Sequence, residues 1–519
     1  MSSRPLLLSI DQGTQSVRAM IFDAEGQLLA KSQVHIEAYF SKQPGWAEQE
    51  CDYFWQNLCK ATRQLADQHP DLLTQVVGAS LTTQRASVVC LDQHKQPLRP
   101  AIIWLDRRRT RQYPAPPWWL RAASRLYGGD TIRHFQSKAE CNWLAADEPE
   151  IWAKTRHFVL LSGYLQYKLT GELVDAVASQ VGYLPFDFKQ QQWAGKSDPK
   201  WHLLQVKPEQ LSELVPAGSA IGRITAEAAA QTGLPNHLVF YASGSDKACE
   251  VLGSGAVEPS AACLSYGTTA TLNTCNSRYV ESMPLVPAYA AAMPGYYNTE
   301  VIVQRGYWMV NWFKREFAQA EVLEAQQQGV APESLFDDLL KQTQPGANGL
   351  ILQPFWNPGV RVPGPEAKGA IIGFGDVHTR AHLYRAIVEG IGYALREGLE
   401  RVQQRNGVKI TKLLVSGGGS QSDDIMAMTA NLFNLPVERP HTFETSGLGA
   451  AINTAVGCNL HADHATAVAA MTRSQQQFLP DPTQAALYNA LYQRVYTKLY
   501  GRLSPLYKHI RDITHYPAF

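Results

Sequence analysis

Two apolar segments of this chain each run into a polar turn that contains the pair Gly-Thr. The first unit occupies residues 6–22, with its turn at residues 11–16. The second occupies residues 261–274, with its turn at Gly267-Thr268-Thr269. Short apolar runs bounded by turn residues are typical of buried strands. We therefore predict a strand–turn–strand unit in each half. The units share little sequence beyond Gly-Thr, so a repeat stays a hypothesis.

Strand-like and helix-like patterns alternate after the first unit. Residues 28–34, 76–81 and 86–91 have the composition of further strands. Residues 52–68 place apolar side chains at the spacing of one helix face. Alternation of this kind indicates an α/β fold.

The length of the chain predicts more than one domain. A chain of 519 residues exceeds the size of one ordinary hydrophobic core. Gly and Pro interrupt the pattern at residues 253–259, so we place the boundary there, giving domains 1–255 and 256–519. The tail is predicted as a core-facing helix, because residues with apolar side chains recur at helical spacing at positions 487, 491, 495, 499 and 503.

Composition excludes some classes of partner. Lys and Arg total 47 and Asp and Glu total 46, so no basic excess indicates nucleic acid or an anionic membrane. The eight cysteines form no Cys-x-x-Cys pair, which predicts reduced thiols. We find no signal-peptide pattern and no apolar run of the ~20 residues that span a bilayer. We expect a cytoplasmic protein without nucleic-acid or membrane partners.

The first candidate site is the turn at residues 11–16. Glycine at position 13 lets the backbone approach a ligand closely, and the Thr14 hydroxyl can donate to phosphate oxygens. Asp11 could hold Mg²⁺, which favours few carboxylates together with phosphate oxygens. Arg18 is close enough in sequence to help neutralise charge. A plain hairpin turn is the alternative, because Asp and Gly are common turn residues.

The other half contains two further turns. Gly267-Thr268 follows a strand and could clamp phosphates from the side opposite to residues 11–16. The run Gly417-Gly418-Gly419 follows the apolar residues 413–415 and permits the close approach that a nucleotide base or ribose requires. This run is not a G-x-G-x-x-G fingerprint, and no Lys follows in P-loop register. A dinucleotide site and a Walker-type site are therefore disfavoured.

Asp246 follows the strand-like residues 238–242 and stands among small residues. A carboxylate at a strand end is well placed to take a proton from a substrate hydroxyl. Phosphoryl transfer needs such a base, Mg²⁺ and accurate positioning. The alternative is that Asp246 is the N-cap of the next helix, where Asp is favoured. From spacing alone, the cap is the stronger interpretation.

These segments occur in the order, and nearly at the spacing, of the FGGY family of carbohydrate kinases, which the chain resembles over residues 5–505. The segment Asp-Gln-Gly-Thr, with Ser16 and Arg18 after it, looks very like that of glycerol kinases. Further segments resemble the family template: residues 100–106, 169–172, 367–370, 383–389, 417–419 and 444–450.

The resemblance implies two ribonuclease-H-like domains of the actin-like ATPase type, with the site in the cleft between them and with ATP and Mg²⁺ as cofactors. Asp246 matches the general base of the family. The resemblance also implies nucleotide, sugar and metal sites. Their matching positions are Asp11, Gly13, Thr14, Arg18, Gly267, Thr268, Gly418 and Ser422 for the nucleotide, Arg85, Trp104, Asp246 and Lys247 for the sugar, and Asp11 and Asp246 for the metal.

Departures from the family bear on the substrate. Ala86 stands where glycerol kinases have a hydroxyl-binding Glu, and the Met-His pair of xylulokinases is absent. Lys247 stands where glycerol kinases have Gln and xylulokinases commonly have Asn. It could reach the cleft and favour an anionic or strongly polar substrate, or it could point away and pair with Glu250.

We therefore predict an ATP-dependent kinase that phosphorylates a hydroxyl of a small sugar or polyol, with a ketopentose such as xylulose or ribulose as the favoured substrate. The first domain would bind the sugar and supply the base, and the second would bind the nucleotide. The alternatives are a kinase for glycerol or a tetritol, a non-catalytic nucleotide-dependent sensor on the same scaffold, and another actin-like ATPase. The sequence leaves a homodimer open.

Overall fold

Two mixed β-sheets, with helices packed on and between them, form the protein. The computed structural model describes residues 5–121, 129–357, 359 and 363–516. The strands, in chain order, are β1 Leu6–Gln12, β2 Ser16–Phe22, β3 Leu28–His35, β4 Glu48–Gln49, β5 Val76–Thr83, β6 Val88–Leu91, β7 Ala101–Ile102, β8 His157–Leu160, β9 Val174–Ala176, β10 Phe186–Asp187, β11 Gln192–Trp193, β12 Glu213–Val215, β13 Ala220–Arg223, β14 Val239–Tyr241, β15 Ala261–Tyr266, β16 Ala270–Asn276, β17 Tyr289–Ala290, β18 Tyr297–Val303, β19 Ile351–Gln353, β20 Ala370–Ile372, β21 Lys412–Ser416, β22 Val437–Pro440 and β23 Ser474–Phe478.

The helices alternate with these strands, as the sequence predicts. They are α1 Cys51–Gln68, α2 Pro70–Leu73, α3 Gly129–Lys138, α4 Glu140–Asp147, α5 Pro149–Lys154, α6 Leu161–Thr170, α7 Ala226–Thr232, α8 Asp246–Ser254, α9 Trp308–Phe317, α10 Gln319–Gln328, α11 Phe336–Lys341, α12 Arg380–Asn406, α13 Asp423–Phe433, α14 Thr445–Gly457, α15 His464–Met471, α16 Pro482–Leu491 and α17 Thr497–Thr514. Within the described ranges, none of the helices has both the length and the apolar character needed to cross a bilayer.

The first sheet brings the ends of three parallel strands to one edge. Its strands lie in the order β13-β14-β5-β1-β2-β3. β5 pairs in parallel with both β1 and β14, whereas β2 runs antiparallel to β1. In this register Asp11 lies opposite Thr82, and Thr83 bridges to Ser245. The segments that follow β1, β5 and β14 therefore meet at one edge, although they are far apart in sequence.

The second sheet repeats this arrangement. Its strands lie in the order β17-β18-β16-β15-β21-β22-β23, with β15 antiparallel to β16 and parallel to β21. Ser265 lies opposite Ser416, so the turn after β15 and the glycines after β21 share an edge. Both predicted strand–turn–strand units are confirmed. They take the same place in the two sheets, which supports the hypothesis of a repeat.

The two sheets are joined by α8 and α14, which pack against each other. α14 contacts β1 and β5 of the first sheet, and α8 contacts β15 and β21 of the second. One buried apolar cluster draws side chains from both sheets and both helices, among them Leu7, Cys263, Leu252 and Ile452. The halves therefore share a hydrophobic core and are not merely tethered by a linker.

Two glycines allow the backbones of α8 and α14 to touch. A methyl group at Gly253 would overlap the backbone oxygen of Thr445. A methyl group at Gly449 would overlap the backbone oxygen of Cys249. Any larger residue at either position would push the helices apart, because close-packed interiors do not absorb such overlaps.

A short four-stranded sheet, in the order β4-β7-β6-β8, lies beside the first. The predicted strand at residues 86–91 belongs to it, but that strand begins two residues late, at Val88. The cause is Ala86, whose φ of 51° lies in the left-handed region that no strand adopts. β7 leads into the segment that carries Trp104.

The tail is helical as predicted, but it is divided into α16, a π-helical turn at Tyr492–Tyr496, and α17. Leu499 is buried and Leu491, Val495 and Leu503 pack on the core, as expected. The prediction was wrong for Leu487, which is 43% exposed. A π-helical turn shifts the buried face of a helix, and the fully buried side chains are tyrosines at positions 488, 492 and 496.

We expect Gly253→Ala to lower the free energy of unfolding by about 1–3 kcal/mol, because the added methyl overpacks the helix crossing. Urea denaturation checks this. Gly501→Ala is the matched control: Gly501 is also inside a helix, α17, but it has open space around its Cα. That change should raise stability by roughly 0.5–1 kcal/mol. Equal tolerance of both changes would contradict the tight crossing.

Candidate active site

Asp11 is the buried carboxylate at the edge of the first sheet. It lies at the end of β1, and Arg18 Nη1 donates to its Oδ2 at 3.1 Å. In the described part of the chain, Asp11 Oδ1 is buried without a hydrogen-bond partner. Burial raises the pKa of this carboxyl to about 7, against the opposing charge of Arg18. A buried oxygen without a donor can readily accept a cation.

The Gly-Thr turn is shorter than predicted, because β1 continues through Gln12 and β2 begins at Ser16. The Gly13 amide donates to the Ser16 backbone oxygen at 3.0 Å, which closes the turn. The Thr14 side chain is held between two others. Trp104 Nε1 donates to Thr14 Oγ1 at 3.0 Å, and the Thr14 hydroxyl donates to Gln84 Oε1 at 3.1 Å. The turn and the predicted sugar-binding Trp104 are thus in contact.

Arg85 follows β5 and faces two carboxylates. Its Nη1 and Nη2 donate to the two oxygens of Glu300, each at 3.0 Å, and its Nε lies 4.0 Å from Asp246 Oδ1. Glu300 was not predicted. Its signal was a single carboxylate inside the otherwise uncharged strand β18, where the side chain is only 4% exposed. Such a buried charge requires a partner, and here the partner is Arg85.

Asp246 is the first residue of α8, and it is not the cap. Ser245 is the N-cap, since its hydroxyl oxygen accepts from the Ala248 amide. The cap interpretation of Asp246 was therefore wrong. Burial raises the pKa of the Asp246 carboxyl above its ordinary value, and the positive charges of Arg85 and Lys247 oppose that rise. Asp246 Oδ1 accepts from the Lys247 amide at 2.7 Å, and a carboxylate whose proton affinity is raised suits proton transfer.

Lys247 takes the second of its two predicted orientations. Its Nζ donates to Glu250 Oε2 at 2.6 Å and to Ser265 Oγ at 3.0 Å. Burial alone would lower the pKa of this ammonium, but the Glu250 and Asp246 carboxylates raise it above its ordinary value. The lysine is therefore a charged group whose partner comes from its own helix.

The edge of the second sheet is built from backbone. The oxygens of Gly267 and Thr268 accept from the amides of Tyr307 and Trp308. Gly417 has a φ of 81° and lies against the Tyr266 backbone, so glycine is required there. Gly418, by contrast, has open space where a side chain would be, apart from one distant backbone oxygen. This open backbone is where a ligand can approach.

Ser422 lies at the start of α13. Its oxygen accepts from the Ile425 amide and caps the helix, and its hydroxyl donates to Asp337 Oδ1. Asp337 was not predicted, and no motif in the sequence marks it. Burial raises its pKa above the ordinary value, with the Ser422 hydrogen bond opposing. Ser422 therefore has a structural role at the start of α13, and its place beside the nucleotide stays a prediction.

Arg18 has a second carboxylate partner from the other half of the chain. Glu444 Oε2 lies 3.6 Å from Arg18 Nη1, and its Oε1 accepts from Lys31 Nζ at 2.9 Å. Glu444 directly precedes α14. The charges around Asp11 are thus supplied by both halves of the protein.

Both halves match models of one protein family. Residues 6–253 match the N-terminal domain of the FGGY family of carbohydrate kinases, and residues 262–458 match its C-terminal domain. The chain therefore belongs to the FGGY family of carbohydrate kinases. It has the two-domain α/β fold of that family, as predicted.

Relatives of nearly full length are sugar kinases by name. An uncharacterized sugar kinase, YgcE, of Escherichia coli is 28% identical over 99% of this chain and 97% of the relative. A xylulose kinase of Lactococcus lactis is 27% identical over 96% of this chain and 97% of the relative. A gluconokinase of Bacillus subtilis is 25% identical over 98% of this chain and 99% of the relative.

Solved structures show the same fold. A xylulose kinase from Rhodospirillum rubrum matches with a TM-score of 0.81 and 24% identity, over 97% of this chain and all of the other. The glycerol kinase of Plasmodium falciparum with ADP matches with a TM-score of 0.76 and 20% identity, over 95% and 98% of the two chains. At these identities the likeness establishes the fold and not the substrate.

Gly418→Ala and Gly419→Ala should separate nucleotide binding from stability. Gly418 faces open space, so its change should leave the urea midpoint unaltered and weaken ADP binding roughly tenfold, about 1.4 kcal/mol. A methyl group at Gly419 would overlap the Tyr307 ring, so that change should lower stability. Calorimetric titration with ADP checks the first outcome. Unchanged ADP affinity in Gly418→Ala would place the nucleotide elsewhere.

Proposed function

We propose that the protein transfers the γ-phosphoryl group of ATP to a hydroxyl of a small sugar or polyol, with a ketopentose as the favoured substrate. The observation that carries this is the position of Asp246. Its carboxylate is partly buried, has a raised pKa and lies at the edge that also holds Arg85 and the Asp11 turn. A base, a phosphate turn and a hydroxyl-binding group thus converge at one place.

In the proposed reaction the substrate hydroxyl oxygen attacks the γ-phosphorus. A bond forms between these two atoms, the bond from the γ-phosphorus to the bridging oxygen breaks, and ADP leaves. The hydroxyl proton passes to the Asp246 carboxylate. Catalysis of this kind depends mainly on positioning and on charge stabilisation, since the protein forms no covalent bond. Closure of the two domains around the substrates would exclude water.

The residues present fit a Mg²⁺ ion. Asp11 Oδ1 is a hard oxygen ligand to which none of the described residues donates, and Asp246 adds a second carboxylate at the same edge. Mg²⁺ favours such a site, with few carboxylates and the remaining positions taken by water and phosphate. Bound there, the ion would neutralise charge on the phosphates. Asp11 and Asp246 would hold it.

The residues that would bind the nucleotide fall into two groups, one in each domain. Gly13, Thr14 and Arg18 would contact the terminal phosphate from the first domain. From the second domain, Gly267 and Thr268 would cradle phosphates, and the open backbone at Gly418, with Ser422 after it, would lie beside the base or ribose. The N-termini of helices α8 and α14 also favour anions, because helix dipoles place partial positive charge there.

The charge pairing of the side chains predicted to bind the sugar supports a neutral substrate. Arg85 and Trp104 would contact the sugar together with Asp246, whereas Lys247, the fourth predicted contact, is turned to Glu250 and Ser265. Arg85 is already paired with Glu300 and Lys247 with Glu250, so their charges are compensated before any substrate binds. This favours a ketopentose over gluconate, which carries a carboxylate. Glycerol is disfavoured as the substrate because Ala86 stands where glycerol kinases have a hydroxyl-binding Glu.

Two alternative functions are compatible with the same scaffold. A kinase for glycerol or a tetritol would use the same base and turns with a smaller acceptor. A non-catalytic sensor would bind nucleotide and transfer nothing, but the joint presence of Asp11, Thr14 and Asp246 argues against it. We further propose a division of the domains at residue 255, where α8 ends in a left-handed glycine, and a cytoplasmic location. A homodimer stays a prediction.

Asp246→Asn should lower kcat by roughly 10²–10⁴, the usual contribution of a general base. ATP binding, measured by calorimetry, should change little. Asp481→Asn is the control, because Asp481 caps α16 and Asn caps equally well. Normal turnover of sugar by the Asp246→Asn enzyme would overturn the assigned mechanism.

A coupled assay of ADP release should show turnover with a ketopentose such as xylulose or ribulose, and at least roughly tenfold lower kcat/KM with gluconate and glycerol, since one mismatched polar contact costs about that much. Silence with every sugar, alongside clear ATP binding, would favour the sensor. Preference for gluconate would contradict the neutral substrate, because it would show that Arg85 or Lys247 binds the substrate carboxylate despite its ion pair.

A further inference from the structure

Lys247 and Glu250 form an ion pair at the start of α8, directly after the proposed base. They lie three residues apart on one face of the helix, with Nζ 2.6 Å from Oε2. The side chains are 20% and 8% exposed. The pair is therefore largely withdrawn from solvent.

Each member of the pair also reaches a different strand of the second sheet. Lys247 Nζ donates to Ser265 Oγ at 3.0 Å, and the Ser416 hydroxyl donates to Glu250 Oε1 at 2.6 Å. Ser265 and Ser416 are opposite each other in the parallel pair of β15 and β21. The four side chains thus form one connected bridge between a helix and two strands.

On the second sheet, the bridge lies next to the two turns proposed to bind the nucleotide, Gly267-Thr268 and Gly417-Gly418-Gly419, which we call the nucleotide turns. Ser265 lies two residues before Gly267, and Ser416 lies directly before Gly417. The helix end of the bridge lies directly after Asp246, whose backbone oxygen accepts from the Ser446 hydroxyl of α14 at 3.2 Å. Asp246 is consequently connected, through its neighbour Lys247 and the hydrogen bonds of the bridge, to β15 and β21, the strands that precede the two turns.

Stability alone does not explain this bridge. Burying two charges costs desolvation free energy that the ion pair often does no more than offset, and apolar substitutes are frequently as stable. A buried ion pair with defined partners does, however, favour one arrangement of the elements it joins. The bridge therefore suits the fixing of geometry better than the raising of the free energy of unfolding.

We propose that Lys247 and Glu250 are positioning residues that hold the Asp246 end of α8 at a fixed distance from the two nucleotide turns. This rests on the proposed function of Asp246 and of those turns. Loss of the bridge lets the base move relative to the γ-phosphorus, and small misplacements of reacting groups are costly to rate. The effect belongs in kcat and not in the KM of either substrate.

The test begins with Ser265→Ala and Ser416→Ala, which cut one strand contact each and leave the ion pair intact. Each should lower kcat several-fold, and the double variant roughly ten- to a hundredfold. The KM values for ATP and ketopentose should stay within about twofold. Each change leaves one buried hydrogen-bonding position unsatisfied, so the urea midpoint should fall while the ion pair stays intact. Lys247→Met combined with Glu250→Gln removes both charges and should match the double serine variant.

Arg473→Met is the control. Arg473 also joins the two halves, through the backbone oxygen of Glu25 and the side chain of Gln27, but it lies outside the described site. Its loss should leave kcat unchanged. If Arg473→Met lowers kcat as much as the serine double variant and the Lys247→Met/Glu250→Gln enzyme do, the effect is general loosening and the positioning role is overturned.

Other outcomes separate this inference from the proposed function. A raised KM for the sugar with normal kcat in the Lys247→Met/Glu250→Gln enzyme would make Lys247 a substrate contact and overturn positioning. Normal kcat and KM in the serine double variant, with Asp246→Asn inactive, would overturn positioning and leave the kinase mechanism standing. Normal turnover by Asp246→Asn would instead overturn the mechanism itself.

Discussion

The contact between α8 and α14 is the constraint on which the rest of the structure depends. Gly253 and Gly449 let the two backbones touch, and the shared apolar core forms around them. Because each helix begins at the site, their crossing fixes where Asp246 and Glu444 lie. The two partial positive charges at the helix N-termini are thereby brought to the same region, which suits a protein that handles phosphates.

Charge compensation is the second theme of the site. Arg85 is paired with Glu300, Lys247 with Glu250, and Arg18 with Asp11 and Glu444. Burial nevertheless raises the pKa of Asp11 and of Asp246. The site is therefore arranged around two carboxylates of raised proton affinity, which is consistent with both holding a cation and with Asp246 also accepting a proton.

The two halves use one scaffold for different tasks. Counted back from each Gly-Thr pair, Asp11 and Ser265 occupy corresponding positions. Asp11 carries a charge and an oxygen that no described residue satisfies, whereas Ser265 carries a hydroxyl that accepts from Lys247. Asp11 and Ser265 lie at equivalent strand ends but differ in side chain, so Asp11 is a candidate metal ligand whereas Ser265 joins α8 to the second sheet.

The sequence by itself determined the local elements and the candidate turns. Both Gly-Thr units, helix α1 and the triple glycine follow from short-range patterns of apolar and turn residues, and those patterns survive into the fold. Partners from distant segments were decided only by tertiary structure. Glu300 meets Arg85 because strand register brings together residues 215 positions apart, whose pairing no local spacing encodes. The orientation of Lys247 was left open by the sequence for the same reason. Ser265, which fixes that orientation together with Glu250, lies 18 residues further along the chain, in β15 of the second sheet.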